Sequence, residues 1–458
     1  MTTARTMPAP DTIVAAATPA GRSALAIVRV DGPLAATIAR DALRRRIPLA
    51  EKTSTLGIWR DLAGEPVDQV VAVLWTAGRS FTGNDSLEIT GHGNPLLVRR
   101  IAEDCLARGA RLAEPGEFTR RAYLAGRIDL TQAEAVADLI HASSARALAS
   151  ARRRLAGELG RLVAGWTDRT LQLLAELEAH IDFPEEDLPP EDPRGPSARL
   201  VEIASELSNY ARTARHDAAL RDGLRVAVVG APNAGKSSLV NALAGADRAI
   251  VSPEAGTTRD YLEAPVAGLP LAVTAIDTAG LRAGGSTLEH LGMARSLEQA
   301  RGAHLLLLVV DASAEPPALP AELVALLDPA RTLVVANKAD LPTHPAQAAF
   351  LPELARLAAC LLDGRDAGTL RAKLGEFLIA REIAPGAEDL VVSVRHAEAL
   401  ARAADALAAA AGHLQAPIQT ELAAAQGRIA LDALGEVVGR IDNERMLDKL
   451  FASFCIGK

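Results

Sequence analysis

One glycine-rich segment combines the residue types that bind a nucleoside triphosphate. The apolar run 224–229 predicts a buried strand, GAPNAGKS follows at 230–237, and a helix-like stretch begins at Ser238. Glycines allow backbone N–H groups to wrap phosphates at a helix N-terminus. Lys236 supplies a positive charge to the β- and γ-phosphates, and the hydroxyl of Ser237 can ligate Mg²⁺. The pattern predicts a phosphate loop, with the nucleotide contacts Asn233, Ala234, Gly235, Lys236, Ser237 and Ser238.

Two further motifs supply groups for the metal and the γ-phosphate. The apolar run 271–276 ends in DTAG at 277–280, where Asp277 can hold Mg²⁺ through water and a glycine amide can sense the γ-phosphate. GTTRD at 256–260 predicts a switch loop, with Thr258 as the second hydroxyl ligand of Mg²⁺. This part of the chain adds the predicted nucleotide contacts Ser252, Thr257, Thr258, Asp277, Thr278, Ala279 and Gly280.

The motif NKAD at 337–340 identifies the base. It follows the predicted strand 332–336, and a carboxylate at Asp340 can accept hydrogen bonds from both the N1–H and the exocyclic amine of guanine. Adenine has no such donor pair, so the motif predicts GTP, with Asn337, Lys338 and Asp340 as contacts. The loop that should follow, CLLDGRDAG at 360–368, matches the usual Ser-Ala-Lys pattern poorly and carries no predicted contact.

The route of hydrolysis depends on the residue after DTAG. That residue is Leu281, so the glutamine that orients the attacking water in many GTPases is absent. Asn233 can help to ligate a monovalent cation that supplies positive charge near the phosphates, with Ser252 and Thr257 as further ligands. Glu289 is a candidate to position the water, although a solvated helix glutamate fits its position equally well. The predicted catalytic residues are Glu289, Lys236 and Arg259.

Length, composition and charge limit the class of protein. The 458 residues suffice for about three domains, and 49% apolar with 23% charged residues is typical of a soluble globular protein. No run of about 18 apolar residues and no signal-peptide pattern appears, and three scattered cysteines indicate a reducing compartment. We therefore expect a cytoplasmic protein. A net charge of −8 argues against wholesale coating of nucleic acid.

The pattern of residues changes along the chain. Residues 11–127 alternate short β-rich runs with one helical stretch, which predicts an α+β module. Residues 131–181 and the region after 380 have the periodicity of amphipathic helices, and Thr131 with Glu134 predicts a capping box for the first helix. We expect a multidomain α/β and α+β protein in which a P-loop GTPase domain interrupts a discontinuous all-α domain. The predicted domains are 1–127 (α+β), 128–222 (first helical part), 223–380 (GTPase) and 381–458 (second helical part).

Four stretches outside the GTPase domain resemble the MnmE (TrmE) family of tRNA modification GTPases. They are DTIV at 11–14 with AIVR at 26–29, SFTG at 80–83 through LEITGH at 87–92, PGEF at 115–118 running into DLTQAE at 129–134, and FCIGK at 454–458. The resemblance covers nearly the whole chain. FCIGK is its most distinctive part.

The resemblance implies a tetrahydrofolate site in the N-terminal module. Its contacts would be Arg29, Glu88, Arg127 and Lys458, and its ligand 5-formyl- or 5,10-methylene-tetrahydrofolate. A carboxylate can pair with the amino-pteridine edge, and basic side chains with the anionic glutamate tail. From the residues alone, Arg29 and Glu88 also fit surface charges on an edge strand. Cys455 fits either a role at the folate carbon or that of a small apolar anchor.

The resemblance also implies a reaction and partners. It implies a homodimer through the domain 1–127, with GTPase domains that dimerise across their nucleotide faces with potassium in the site. It also implies an FAD-containing partner, MnmG (GidA), that uses NADH and joins the protein in a heterotetramer or larger complex. Together they would add an aminomethyl or carboxymethylaminomethyl group to C5 of the wobble uridine in certain tRNAs. Two other hypotheses stay open: a GTP-dependent ribosome or RNA assembly switch without covalent chemistry, and a folate aminomethyltransferase with a regulatory GTPase attached.

Overall fold

The computed structural model describes most of the chain and divides it into two compact units. The first unit comprises residues 1–140, 152–203 and 405–458, and the second comprises residues 141–151 and 204–404. Among the described residues, no helix combines the length and the apolar character that crossing a membrane requires. The described residues are 11–45, 49–182, 195–221, 223–244, 263–266, 269, 272–277, 296–361, 366–381, 390–415, 418–439, 451–452, 454 and 457.

The strands belong to two sheets, one in each unit. They are β1 Ile13–Ala16, β2 Leu25–Asp31, β3 Thr55–Arg60, β4 Pro66–Trp75, β5 Ser86–His92, β6 Arg111–Leu112, β7 Leu224–Gly230, β8 Glu263–Pro265, β9 Val273–Asp277, β10 Leu305–Asp311, β11 Thr332–Asn337 and β12 Ala355–Ala359.

The helices lie along the whole chain. They are α1 Ala35–Ala42, α2 Pro95–Ala107, α3 Glu117–Leu124, α4 Leu130–His141, α5 Ala145–Leu155, α6 Glu158–Asp182, α7 Gly195–Arg212, α8 Asp217–Arg221, α9 Lys236–Ala244, α10 Ala321–Val324, α11 Ala367–Ala380, α12 Val394–His413 and α13 Thr420–Val438.

A six-stranded sheet forms the centre of the N-terminal module. Its order is β3-β4-β5-β2-β1-β6, and neighbouring strands are antiparallel except β1 and β6. Helices α1 and α2 cover one face, where Val28, Val30 and Ile89 pack with Ile38 and Ile101. Apolar residues alternate along the strands because one face is buried more completely than the other. The predicted α+β module is confirmed.

Helices α6 and α13 pack against each other in the first unit. The buried face of α13 consists largely of small residues, and Gly427 faces Leu174 of α6. Small side chains let two helix axes approach closely. Helix α6 precedes residues 204–404, the main segment of the second unit, and α13 follows them, so the predicted helical domain, interrupted in sequence by the GTPase domain, is confirmed.

The predicted capping box of α4 is wrong by two residues. The helix begins at Leu130. Its cap is Asp129, whose carboxylate accepts from the backbone N–H of Gln132, while the side-chain oxygen of Gln132 accepts from the backbone N–H of Asp129. These reciprocal bonds form the capping box. Thr131 instead donates its hydroxyl to Asp129.

The second unit has the sheet of a P-loop protein. Its order is β12-β11-β10-β7-β9-β8, and its strands are parallel except the antiparallel pair β8 and β9. Strands β7, β10 and β11 are almost continuously apolar and buried because apolar cores cover both faces of the sheet. The carboxyl ends of these three strands lie side by side at one edge of the sheet, where a nucleotide site is expected.

Candidate functional site

The phosphate loop lies between β7 and α9, as predicted. Strand β7 ends at Gly230 and α9 begins at Lys236. At Gly235 the φ angle is +104°, and a side chain there would place its Cβ 2.1 Å from Nδ2 of Asn337. Glycine is therefore required at this position, because both the backbone conformation and the lack of space exclude a larger residue. Asn233, also at positive φ, is exposed.

The ammonium of Lys236 lies inside this loop. The residue is 8% exposed, and Nζ donates to the carbonyl oxygens of Gly230 and Ala231 at 3.2 and 2.9 Å. Ser237 and Ser238 are exposed in the first turn of α9. The structure thus brings together all six predicted contacts of the loop, with a positive charge at the amino end of a helix, which favours an anion.

Asn337 joins the phosphate loop to the neighbouring loops. It is 5% exposed, its Nδ2 donates to the carbonyl oxygen of Ala234 at 2.9 Å, and its Oδ1 accepts from the backbone N–H of Leu361 at 3.3 Å. Lys338 follows at positive φ, and Asp340 is exposed in the next turn. The asparagine of NKAD therefore fixes the position of the loop that presents Lys338 and Asp340.

Three residues around this loop were not predicted from the sequence. Asp311, at the end of β10, pairs with Lys338 at 2.5 Å. The backbone N–H of Leu361 donates to Asn337 at 3.3 Å, and Asp366 accepts from the backbone N–H of Cys360 at 2.8 Å. The available signal for Asp311 was its place directly after the apolar run 305–310, where parallel strands end.

In the N-terminal module, Arg29 of β2 and Glu88 of β5 lie directly opposite each other on neighbouring strands. Nη2 of Arg29 lies 2.7 Å from Oε1 of Glu88, and the side chains are 24% and 32% exposed. The Arg29 guanidinium lies 5.7 Å from the ring centroid of the buried Phe118. Both strands have a neighbour on either side, so the alternative of charges on an edge strand is wrong. Arg127 is exposed and lies beside Gly83.

A charged network anchors α3 next to this pair. The carboxylate of Glu117 accepts from Arg111, from Arg121 and from the backbone N–H of Glu114. Burial alone would raise the pKa of Glu117, but these hydrogen bonds outweigh it and lower the pKa to about 2. Arg121 also pairs with the fully buried Asp31, 3.2 Å away.

The same Asp31 holds the loop that carries the SFTG motif. Its carboxylate accepts hydrogen bonds from the hydroxyl of Thr82 and from Nδ2 of Asn84. Ser80 is also buried, and its hydroxyl donates to the carbonyl oxygen of Asn84 at 2.5 Å. Glu117, Asp31 and the loop 80–84 are therefore parts of one polar network.

The C-terminal tail lies against the N-terminal module. Phe451 and Phe454 are buried with Tyr123 and Leu130, and their two rings are 5.3 Å apart. Gly457 adopts φ +94°, and a Cβ there would lie 2.3 Å from the carbonyl oxygen of Ala16 at the end of β1. The glycine of FCIGK thus allows a close approach to β1.

Several predicted site residues lie outside the part of the chain that the structure describes, and so does the side chain of Asp277. These residues are Ser252, Thr257, Thr258, Arg259, Thr278, Ala279, Gly280, Glu289, Cys455 and Lys458.

The fold and the site define the class of protein. A parallel sheet, a phosphate loop that encloses Lys236, and an NKAD asparagine bonded to that loop are the features of a P-loop GTPase. A model of the MnmE helical domain matches residues 130–455, and a model of the N-terminus of the GTP-binding protein TrmE matches residues 12–127. The chain belongs to the MnmE family of tRNA modification GTPases. It binds GTP and is a GTPase in tRNA modification.

Known relatives are similar in sequence to this chain over nearly its full length. The tRNA modification GTPase MnmE of Opitutus terrae is 46% identical over 452 residues, which cover 98% of this chain and 100% of the relative. The MnmE of Bordetella petrii is 42% identical, with 97% and 98% covered. Among solved structures, Era of Aquifex aeolicus bound to GDP and AlF₄⁻ matches 40% of this chain and 66% of its own, with 25% identity and a TM-score of 0.29.

Proposed function

We propose that this GTPase is activated by potassium and supports a folate-dependent modification at C5 of the wobble uridine in certain tRNAs. An FAD-containing partner of the MnmG type shares the chemistry on the uridine, and an aminomethyl or carboxymethylaminomethyl group is the product. The protein works in the cytoplasm as a homodimer. The relatives named tRNA modification GTPases support the RNA substrate.

The position of the C-terminal tail is the main support for the proposed tetrahydrofolate site. Gly457, which precedes the predicted ligand Lys458, lies at Ala16, and the neighbouring Ala15 is the cross-strand partner of Arg29. Arg29 in turn pairs with Glu88. Arg29 and Glu88 thus belong to adjacent strands, and Gly457 of the tail lies against the strand next to them. A carboxylate with two cations suits an amino-pteridine that carries an anionic tail.

Binding of 5-formyl-tetrahydrofolate to the full chain, measured by isothermal titration calorimetry, tests this site. We expect Glu88→Gln to weaken binding by at least about tenfold, because a hydrogen bond to a charged group is lost. Arg79→Gln is the matched control, since the side chain of Arg79 is 66% exposed and pairs with Glu51 in the same module. Equal affinity of the wild type and Glu88→Gln would refute the assignment.

The GTPase site offers oxygen ligands for Mg²⁺. The exposed hydroxyl of Ser237 follows Lys236, and β9, which ends at Asp277, pairs with β7 directly before the phosphate loop. Hydroxyl and carboxylate oxygens are the donors that Mg²⁺ prefers, with Thr258 as the further predicted ligand. The ion would neutralise charge on the phosphates. Lys236 adds a second positive charge, and Glu289 and Arg259 complete the proposed catalytic set.

Potassium activation depends on Asn233. Its exposed side chain at the phosphate loop can present an oxygen to a monovalent cation, with Ser252 and Thr257 as further ligands. We expect GTP turnover to be faster in potassium than in sodium, and Asn233→Ala to remove the difference. Asn209→Ala, at an exposed position of α7, is the control. Equal rates of the wild type in both salts would refute the mechanism.

The exposed sheet face of the N-terminal module supports a homodimer. Leu56 and Ile58 of the edge strand β3 are 62% and 45% exposed on the face opposite α1 and α2, and Leu25 of β2 is 62% exposed. Such a face fits a second copy of the chain. Light scattering should show that Leu56→Lys lowers the mass toward that of one chain. Leu62→Lys, equally exposed but outside the strands, should leave it unchanged.

A further inference from the structure

The carboxylate of Asp311 lies between the phosphate loop and the base-reading loop. Strand β10 pairs with β7 on one side and with β11 on the other, and Asp311 is level with Asn337. Its Oδ2 lies 2.5 Å from Nζ of Lys338, the residue between Asn337 and the loop that carries Asp340. The two side chains are 22% and 34% exposed, so this ion pair is partly shielded from water.

Asp311 is held in place by other bonds. Its Oδ1 accepts from the backbone N–H of Ser313 at 3.0 Å and from the Ser313 hydroxyl at 2.7 Å. Its carbonyl oxygen accepts from Nε2 of Gln347, which is 2% exposed and also donates to Ala314. Burial alone would raise the pKa of Asp311, but the hydrogen bonds from Lys338 and Ser313 lower it, so the carboxylate is charged at neutral pH.

A rigid anion facing a flexible lysine restricts where that lysine can lie. A free lysine side chain loses considerable rotamer entropy when a ligand orders it. A lysine already paired at its tip has lost much of this freedom before the ligand arrives. The backbone of Lys338 is also fixed, because its φ is +61° and Asn337 anchors the loop on one side.

We propose that Asp311 is a positioning residue for the guanine nucleotide: it holds the Lys338 side chain ready at the edge of the base site. Asp311 does not touch the nucleotide in this arrangement. It acts through Lys338, and the energetic benefit appears as slower nucleotide dissociation. The inference rests on GTP binding alone and is independent of the proposed folate and potassium sites.

Titration of the full chain with the fluorescent nucleotide mant-GDP tests this role. We expect Asp311→Asn to weaken binding about two- to fivefold through faster dissociation, the scale of a partly exposed ion pair. The KM for GTP should rise by a similar factor and kcat should change less than twofold. Inosine diphosphate lacks the 2-amino group of guanine. Asp311→Asn should weaken its binding by the same factor as that of GDP, because Lys338 does not contact the 2-amino group. Asp328→Asn is the control, since Asp328 accepts from Ala330 at the opposite end of the sheet.

A double-substitution cycle with Lys338→Met separates positioning from a merely structural role. If Asp311 acts through Lys338, adding Asp311→Asn to Lys338→Met has no further effect on mant-GDP affinity. Additive losses would overturn the proposal. So would unchanged affinity of Asp311→Asn, or a loss that is accompanied by a lower melting temperature of the second unit. Normal binding by the wild type keeps these outcomes distinct from failure of the GTPase assignment itself.

Discussion

Glu117 provides the most direct test of how charge stabilises the N-terminal module. Its side chain is 12% exposed and accepts four hydrogen bonds of 2.6–2.9 Å, two from Arg111, one from Arg121 and one from the backbone of Glu114. These bonds lower its pKa from 4.5 to about 2. At ~1.4 kcal/mol per pKa unit, the carboxylate stabilises the folded module by up to ~3.5 kcal/mol at neutral pH.

The substitution Glu117→Gln should reduce the free energy of unfolding by about 2 kcal/mol at pH 7. The estimate is below the full linkage value because Arg111 is 45% exposed and solvent screens its charge. The glutamine also presents N–H donors where the carboxylate accepted from arginine.

The pH dependence has a definite sign. A carboxylate with a lowered pKa stabilises the folded state above its unfolded pKa, and this stabilisation disappears as the pH falls from about 4.5 to about 2. The wild type and Glu117→Gln should therefore differ most above pH 5 and converge near pH 2.

Tryptophan fluorescence during urea unfolding reports on the first unit, to which this module belongs. Trp59, Trp75 and Trp166 are the three tryptophans of the chain, and all belong to the first unit. Glu114→Gln, at an exposed side chain three residues away, should unfold like the wild type at every pH. A Glu117→Gln difference that is independent of pH, or smaller than about 0.5 kcal/mol, would refute the linkage argument.

Three further predictions concern burial and close packing. Burial, reinforced by the neighbouring aspartate, raises the pKa of the Cys105 thiol to about 12, so iodoacetamide at pH 8 should modify it only after denaturation, as mass spectrometry of peptides would show. Asn337→Ala removes the hydrogen bond to the Ala234 carbonyl and the buried hydrogen bond from the Leu361 backbone, and should weaken mant-GDP binding at least about tenfold. Unchanged affinity would contradict the role of Asn337 in positioning the loop. Gly116→Ala, at φ +65° and with its Cβ 2.9 Å from that of Phe454, should destabilise the first unit by about 2 kcal/mol or more in the tryptophan assay, and full stability would mean that the tail does not pack there.

Local patterns in the sequence predicted the strand, loop and helix around Lys236. The residues of GAPNAGKS are contiguous, and the strand and helix on either side are recognisable from apolar runs, so the loop could be predicted without a tertiary structure. The cap of α4 was harder, because Thr131 with Glu134 and Asp129 with Gln132 both fit the spacing of a capping box. Which pair forms it depends on where the chain leaves the preceding turn.

Sequence motifs alone sufficed to predict that this chain binds a guanine nucleotide and belongs to the tRNA modification GTPases. Those properties depend on residue types at short spacing. Sequence motifs could not show that Arg29 faces Glu88, 59 residues away, or that Asp311 faces Lys338, 27 residues away. Strand order and register create both pairs, and these depend on how two sheets bury their apolar faces rather than on any short motif.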